Sequence, residues 1–229
     1  MIKISDKIYY LPHCVETDRP TLGYIKGEKY TLMIDSGNSY REVNLYLSEL
    51  DQLNLPHPDF VAITHWHFDH TYGLSSLKAT AIACKATNIK LENMTHWKWD
   101  EKSMDERVKN GEEPKVCQQY IKEQYPDLSS IRIRTADIVF DKHLTLDLGG
   151  LTCEMIWIDS SHTEDCVVYF IQEEKVLFIG DASYSSKDKF QHFIEFLEGL
   201  DFETIVDGHL EHKCKELAMS HYYKILSEL

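Results

Sequence analysis

A cluster of three histidines and one aspartate, H-W-H-F-D-H beginning at His65, constrains this chain more than any other feature. It follows the short apolar run 60–64, which predicts a buried strand. Residues i and i+2 at the end of a strand project to the same side, so His65 and His67 can bind one metal ion. The chain then turns, so that Asp69 and His70 can reach a second ion. The pattern therefore predicts a metal site at the end of this strand.

Three later side chains also come directly after apolar runs. His162, Asp181 and His209 each lie just beyond the C-terminal end of a predicted strand. Open α/β sheets bind their ligands beyond the carboxyl ends of strands, so these side chains fit the remaining ligand positions of the same site. Neutral imidazoles suit zinc, whereas carboxylates combined with imidazoles also suit iron and manganese.

Composition limits the class of protein. The chain has 229 residues, of which 43% are hydrophobic and 27% charged, so one domain with a buried core is expected. No apolar run approaches the ~18 residues that span a bilayer, and the N-terminus lacks the apolar stretch of a secretory signal. The formal charge of −14 disfavours nucleic acid and anionic membranes as partners. We therefore expect a cytoplasmic protein with a small-molecule substrate, no nucleic-acid partner and no membrane partner; its oligomeric state stays open.

Strands and helices alternate along the chain. Strands are predicted at 7–11, 21–26, 30–34, 60–64, 138–140, 144–148, 153–158, 167–171, 176–179 and 204–206. Helices are predicted at 40–53, 187–199 and 214–229. Residues 86–130 predict two helices with a loop, inserted between strands of the sheets. This insertion forms a lid or a wall of the substrate site, or else an exposed appendage. Trp66, with Trp97 or Trp99, either lines an apolar substrate pocket or packs in the core.

The two halves of the chain repeat one arrangement. Residues 29–36 and 175–182 both contain a lysine in a turn, an apolar strand and an aspartate at its end, Asp35 and Asp181. A helix, another apolar strand and a histidine follow each aspartate. Two related halves packed sheet against sheet would bring both sets of strand ends to one rim.

The order of these motifs resembles that of the metallo-β-lactamase-fold hydrolase superfamily: H-x-H-x-D-H, a downstream His-Thr, then Gly-Asp-Ala and a late Gly-His. The resemblance extends from Asp35 to His209. It implies an α/β fold, a four-layer αβ/βα sandwich with a dinuclear site at one edge. Residues 1–229 would form a single domain of this kind, with the helical insertion at about 86–130.

The resemblance also implies a role for each side chain of the site. One metal ion is held by His65, His67 and His162, and the other by Asp69, His70 and His209. Asp181 bridges the two ions, and Asp35 supports the site from outside the set of ligands.

Such a site implies a metal-dependent hydrolase. Two divalent metal ions, zinc first with iron or manganese as alternatives, generate hydroxide from water at neutral pH. The hydroxide attacks an ester-like bond (a lactone, thioester or phosphoester), and Asp69 or Asp181 orients it or handles its proton. Two alternatives stay open. One is a non-heme diiron redox protein of the same fold, and the other is a metal-binding protein without catalytic activity.

Departures from the family's patterns narrow the substrate. Metallo-β-lactamases of the commonest subclass have arginine where His70 stands, and those that keep the histidine usually lack the bridging aspartate. Retaining both points away from antibiotic hydrolysis.

Tyr184, three residues after Asp181, resembles the tyrosine of acyl-homoserine lactonases that hydrogen-bonds the substrate carbonyl, and is a candidate catalytic residue. Thioesterases similar to glyoxalase II carry basic groups late in the chain, where Lys213 and Lys215 stand here.

Overall fold

Two β-sheets form the centre of the computed structural model, which describes residues 1–183 and 186–229. Within these residues the first sheet has seven strands: β1 (Ile2–Lys3), β2 (Ile8–Leu11), β3 (Leu22–Lys26), β4 (Thr31–Ile34), β5 (Phe60–Ala62), β6 (Thr80–Cys84) and β7 (Ile138–Phe140). The second sheet has six strands in the same described part: β8 (His143–Asp147), β9 (Thr152–Trp157), β10 (Val167–Ile171), β11 (Val176–Gly180), β12 (Thr204–Asp207) and β13 (Lys213–Cys214).

Helices connect and cover the sheets. The α-helices found in the described residues are α1 (Tyr40–Gln52), α2 (Phe68–Thr71), α3 (Lys85–Met94), α4 (Glu101–Asn110), α5 (Lys115–Gln124), α6 (Lys187–Glu198) and α7 (Lys215–Glu228).

Both sheets change from antiparallel to parallel pairing near the strands that carry the predicted site. The first sheet runs in the order β1 to β7, antiparallel as far as β4 and parallel from β4 to β7. The second runs β13-β12-β11-β10-β9-β8, with β11 and β12 parallel. A parallel pair requires a crossover, which α1 supplies between β4 and β5 and α6 supplies between β11 and β12. The predicted repeat of the two halves corresponds to these two β–α–β units.

Three apolar layers hold the sheets and helices together. Inner faces of both sheets meet in one core that includes Ile25, Ala62, Met155 and Phe178. A second core lies between the first sheet and helices α1, α3, α4 and α5, and a third lies between the second sheet and helices α6 and α7. Strands such as β10 and β11 are covered on both faces, which explains their continuous apolar sequences. The predicted four-layer αβ/βα sandwich is confirmed.

The start of α1 is fixed by side chains next to the predicted site. Ser39 accepts a hydrogen bond from the Glu42 backbone N–H, as an N-cap residue does. Glu42 in turn accepts one from the Asn38 backbone N–H at 2.7 Å. Because this exchange resembles a capping box, it fixes the chain where it leaves β4 and enters the helix.

Between β6 and β7 the structure holds three helices, so the prediction of two helices in residues 86–130 is wrong. Asp100 begins α4 by accepting a hydrogen bond from the Ser103 backbone N–H at 2.8 Å. Gly111, with a φ of 75°, ends that helix in the left-handed conformation that favours glycine. Pro114 then precedes α5. The capping residues and the proline therefore mark where one helix ends and the next begins. The high content of helix-forming residues in this segment does not show these boundaries.

Three strands were not predicted from the sequence. Of these, β1 and β13 have two residues each, and in β6, T-A-I-A-C, two alanines, a residue type depleted in strands, alternate with the β-branched Thr80 and Ile82. Pairing with β5 and β7 holds β6 in place despite this composition. The assignment of residues 1–229 to one domain stays a prediction.

Two further observations concern the state of the cysteines and the length and apolar character of the helices. None of the six cysteines, all in the described part of the chain, forms a disulfide bond. Over residues 1–183 and 186–229, no helix combines the length and the apolar character that crossing a membrane requires.

Candidate metal centre

The histidine motif crosses the C-terminal edge of the first sheet. His65 and His67 lie in the short connection from β5 to α2, and Asp69 and His70 lie within α2. His65 and His70 are fully buried, while His67 is partly exposed. The four side chains therefore come from one sharp turn beyond the end of a buried strand.

His162, in the loop after β9, completes a triangle with His65 and His67. The facing atoms, Nε2 of His65, Nδ1 of His67 and Nε2 of His162, lie 3.0–3.1 Å from one another. A neutral imidazole carries one N–H, and the other nitrogen of His65 already lies 3.1 Å from the Thr64 hydroxyl. A single cation can accept a lone pair from each of the three facing nitrogens.

The electrostatics of this triangle suit a metal ion. Burial lowers the pKa of His65 well below its usual value, lowers that of His67 to about 4, and lowers that of His162. Metal binding requires neutral imidazoles, and these three are held in that form. A tetrahedral zinc ion with Zn–N distances of about 2.0–2.1 Å separates its nitrogens by about 3.3 Å. The triangle is therefore close to the dimensions that a zinc ion needs.

A second group adjoins the triangle. Its members are Asp69, His70, Asp181 and His209, whose ligand atoms lie within 4.8 Å of one another. Oδ2 of Asp69 is 3.0 Å from Nε2 of His70 and 3.1 Å from Nε2 of His209. Among the described residues, His70 Nε2 and Asp181 Oδ1 are buried and make no well-aligned hydrogen bond, although they lie 3.6 Å from each other. Buried polar atoms of this kind are suited to bind an ion or a water molecule.

Charge in this second group is balanced by protons. Burial opposes protonation of His70 and His209, yet the neighbouring carboxylates raise the pKa of His70 well above its usual value and that of His209 to about 10. Burial opposes ionisation of Asp69 and Asp181 as well, but His70 and His209 lower the pKa of both carboxyls. In this state the two imidazoles carry two extra protons. One divalent cation has the same charge and would displace them.

Asp181 lies between the two groups. Its Oδ2 atom is 3.4 Å from Nε2 of His162 in the triangle and 3.4 Å from Nε2 of His209 in the second group. A Cβ atom at position 208 would lie 2.2 Å from Asp181 Oδ1, so Gly208 allows this close approach. Asp181 thus stands where a carboxylate can contact ions in both groups.

Asp35 and Thr64 orient the buried histidines. Oδ2 of Asp35 is 2.7 Å from Nδ1 of His70, and Oδ1 accepts a hydrogen bond from the Thr64 backbone N–H at 2.8 Å. The Thr64 hydroxyl donates to Asp35 and faces Nδ1 of His65. Asp35 has a φ of 59°, a conformation that few non-glycine residues adopt. With Nδ1 engaged in this way, Nε2 of each histidine is turned towards the centre.

Asp165 is a buried carboxylate that the sequence analysis did not single out. Its Oδ2 atom accepts hydrogen bonds from the Trp66 backbone N–H at 2.9 Å and the Thr87 hydroxyl at 2.8 Å. Asp165 lies three residues after His162, so it ties the loop of that ligand to the histidine motif and to α3. An acidic residue two positions before the apolar strand β10 was the only sequence signal for this role.

The structure brings all seven predicted ligands into these two groups, and it places Asp35 against His70. The roles of these seven side chains as metal ligands, and that of Asp35 as their support, stay predictions. Tyr184, the candidate catalytic tyrosine, lies outside the described residues. Lys215 does not face the centre as a free basic group, because its ammonium group donates to the Leu200 carbonyl and lies 4.5 Å from the Phe202 ring.

Comparison with solved structures shows the fold. A metallo-beta-lactamase from Pontibacter korlensis is 17% identical, with a TM-score of 0.66 and coverage of 99% of this chain and 98% of that one. A metallo-beta-lactamase family protein from Thermus thermophilus is 16% identical, with a TM-score of 0.68 and coverage of 99% and 80%. An archaeal metallo-beta-lactamase superfamily protein from Sulfolobus tokodaii is 18% identical, with a TM-score of 0.61 and coverage of 98% and 88%.

Sequence comparison gives the family. No curated protein sequence matches this chain significantly. The family profile described as the metallo-beta-lactamase superfamily matches residues 19–212, which include every predicted ligand. Together with the sandwich fold and the two adjoining groups of histidines and aspartates, this match shows that the chain belongs to the metallo-beta-lactamase superfamily.

Proposed function

We propose that this protein is a hydrolase that binds two divalent metal ions, zinc before iron or manganese, and cleaves an ester-like bond. The observation that carries the proposal is the triangle of imidazole nitrogens 3.0–3.1 Å apart, adjoined by a second group with two carboxylates. Histidines alone would suit a structural zinc site. The adjoining carboxylates and the partly open position are typical of a catalytic one.

Seven side chains would hold the two ions. His65, His67 and His162 would bind one ion, Asp69, His70 and His209 the other, and Asp181 both. When bound, such ions act as Lewis acids and lower the pKa of water towards neutrality.

The chain's own side chains position the nucleophile and the substrate. Oδ1 of Asp181 is buried and has no hydrogen-bond partner among the described residues, so it can accept a hydrogen bond from the attacking water and orient it. Asp69, the other carboxylate of the second group, would be the alternative acceptor for that water's proton. The buried His65 and His70 close the centre on one side, whereas His162 and His209 are about one fifth exposed. Substrate would therefore approach from the side of the partly exposed His67, His162 and His209.

The negative charge of the protein favours an uncharged substrate. With a formal charge of −14, the protein surface outside the metal centre repels strongly anionic molecules. A lactone, ester or thioester is therefore favoured over a phosphoester. Tyr184 would hydrogen-bond the substrate carbonyl. We further propose that the protein acts in the cytoplasm on a small molecule.

The test combines metal analysis with substrates. Protein purified without added metal is analysed for zinc, iron and manganese, and then assayed with a lactone, a thioester, a phosphodiester and a β-lactam. The proposal expects about two ions per chain and turnover of the lactone or thioester. Stoichiometric iron with charge-transfer absorption and no hydrolysis would instead identify a diiron redox protein. Tight metal binding without turnover of any substrate would identify a non-catalytic metal-binding protein.

A further inference from the structure

The loop of residues 12–21, between β2 and β3, is fixed next to the second group of predicted ligands. At its end, the Thr21 backbone N–H donates a hydrogen bond to the Gly208 carbonyl at 2.7 Å, directly before a predicted ligand. In its middle, the fully buried Asn38 side chain donates from Nδ2 to the Asp18 carbonyl at 3.3 Å. The loop is therefore attached to the connection after β4 and to the connection after β12, which both border the metal centre.

Asp18 places a half-buried carboxyl group at the edge of the second group. Burial raises the pKa of Asp18 to about 6, and the charges of all four members of the second group act on the same carboxyl group. Burial also raises the pKa of the Cys117 thiol in α5 to about 12, and the charges of Asp69 and Asp18 add to that rise. The Asp18 carboxyl group is therefore near both the second group and α5.

No positively charged side chain neutralises Asp18. In the described part of the chain, no side chain forms an ion pair or a hydrogen bond with its carboxyl group. The adjacent Arg19 lies near Glu42 instead, because burial raises the pKa of Glu42 to about 8 and the guanidinium opposes that rise. The negative charge of Asp18 is therefore available to a ligand.

The charges of the occupied centre would leave Asp18 in excess. Two divalent cations would be matched by the carboxylates of Asp35, Asp69 and Asp181 together with one hydroxide. Nearby cations would also favour the ionised form of the Asp18 carboxyl group. A partly buried negative charge attracts a positive charge more strongly than an exposed one does, because water screens it less.

We propose that Asp18 binds a positively charged group of the substrate, an ammonium group close to the scissile carbonyl. The proposal rests on the proposed hydrolase function and deepens it, since the bond that is cleaved stays an uncharged ester while the part beside it carries a positive charge. Asp18 is then a specificity-determining residue outside the set of metal ligands.

The backbone at position 18 allows a clean substitution. Asp18 has a φ of 51°, in the left-handed region that asparagine and aspartate adopt more readily than most other residues. Asp18→Asn therefore removes the charge without straining the loop, and the hydrogen bond from Asn38 to the backbone carbonyl is unaffected.

The first experiment compares ethyl 3-aminopropanoate with ethyl butanoate, which carries a methyl group in place of the ammonium group. Hydrolysis is followed by acid release at neutral pH. Because the ammonium group also activates the ester chemically, the ratio of the two kcat/KM values is compared between wild type and variant. Asp18→Asn is expected to lower this ratio about 10-fold or more, the effect of losing one hydrogen bond to a charged group.

Glu16→Gln is the matched control. It removes the same formal charge from an exposed side chain of the same loop, so the ratio should stay at the wild-type value. An equal fall of the ratio in both variants would assign the effect to the overall charge of the protein and overturn the proposal.

A second experiment does not depend on hydrolysis. The hydroxamic acids that correspond to the two esters chelate metal ions without being cleaved, and they are titrated calorimetrically into zinc-loaded protein. The ratio of the two Kd values is expected to favour the amino compound about 10-fold less in Asp18→Asn than in the wild type. This change of ratio without turnover of either ester would leave the subsite intact and reject the hydrolase. Hydrolysis of both esters with ratios that Asp18→Asn does not change would overturn the subsite.

Discussion

Replacing Asp35 by asparagine tests how the fold supports the metal centre. The carboxylate is near Nδ1 of His70 and accepts hydrogen bonds from both the backbone N–H and the hydroxyl of Thr64. An asparagine side chain has one acceptor oxygen and one NH₂ donor. After the substitution, the asparagine NH₂ group, a donor, must face either His70 or Thr64, each of which is itself a donor to the carboxylate in the wild type. The substitution keeps the shape of the side chain, so the effect reports on hydrogen bonding.

The expected loss is greater for one of the two ions, because Asp35 contacts His70 directly and reaches His65 only through the Thr64 hydroxyl. Removing a partner that orients a metal-binding histidine typically weakens metal affinity 10–100-fold, which is about 1.4–2.7 kcal/mol. His70 belongs to the second group and does not take part in the triangle of His65, His67 and His162. We therefore expect a zinc titration of Asp35→Asn to show one step that is 10–100-fold weaker than in the wild type and a smaller change in the other step.

The assay is competition for zinc with a chromophoric chelator. Asp59→Asn is the matched control, because Asp59 accepts hydrogen bonds from the backbone N–H and hydroxyl of Thr31 at the opposite end of β5. The control should bind both ions as the wild type does. Equal affinities of Asp35→Asn and wild type for both ions would refute the reasoning, and a similar loss in Asp59→Asn would indicate a general loss of stability instead.

Three further substitutions test other parts of the structure. Burial raises the pKa of Glu42 from 4.5 to about 8, so the folded protein holds a proton that the unfolded chain releases; the contribution of Glu42 to stability is therefore greatest below pH 4.5 and falls as the pH rises to 8. Glu42→Gln should abolish that fall, which is on the order of 4 kcal/mol, and urea unfolding at pH 5 and pH 8.5 measures it; parallel behaviour of variant and wild type would contradict this. Asp165→Asn should weaken metal binding about 10-fold through Trp66 and the motif, while an unchanged zinc titration would limit Asp165 to a packing role. Tyr184→Phe should lower kcat for a lactone or ester about 10-fold or more if its hydroxyl contacts the substrate carbonyl, and unchanged kinetics would remove Tyr184 from the mechanism.

Much of the centre is predictable because its side chains follow buried strands. The apolar runs before His65, Asp181 and His209 are visible in the sequence, and the ends of these strands meet at one rim. Asp35 is recognisable for the same reason, as the residue that directly follows β4. The geometry that favours a metal ion, three nitrogens within 3.1 Å, depends on how the two sheets face each other and requires the structure.

The less predictable parts depend on contacts between distant segments. Asp165 supports the motif through a backbone N–H that lies 99 positions earlier in the chain, and a single acidic residue before a strand does not reveal such a partner. The inserted helices are divided by Asp100 and Gly111, which are strong local signals inside a segment otherwise rich in helix formers. The position of Trp97 against the histidine motif is likewise set by Arg107 and Glu113, an ion pair formed only after folding.

Anomalous diffraction from crystals grown with zinc tests the central claim most directly, with data also collected at the iron and manganese edges for protein as purified. The account predicts two anomalous peaks per chain, one inside the triangle of His65, His67 and His162 and one among the ligand atoms of the second group, with Asp181 in contact with both. The His67→Ala variant should lose the first peak, while His57→Ala, which changes an exposed histidine, should keep both. A map with no peak at either position, or an unaltered pair of peaks in His67→Ala, would contradict the assignment.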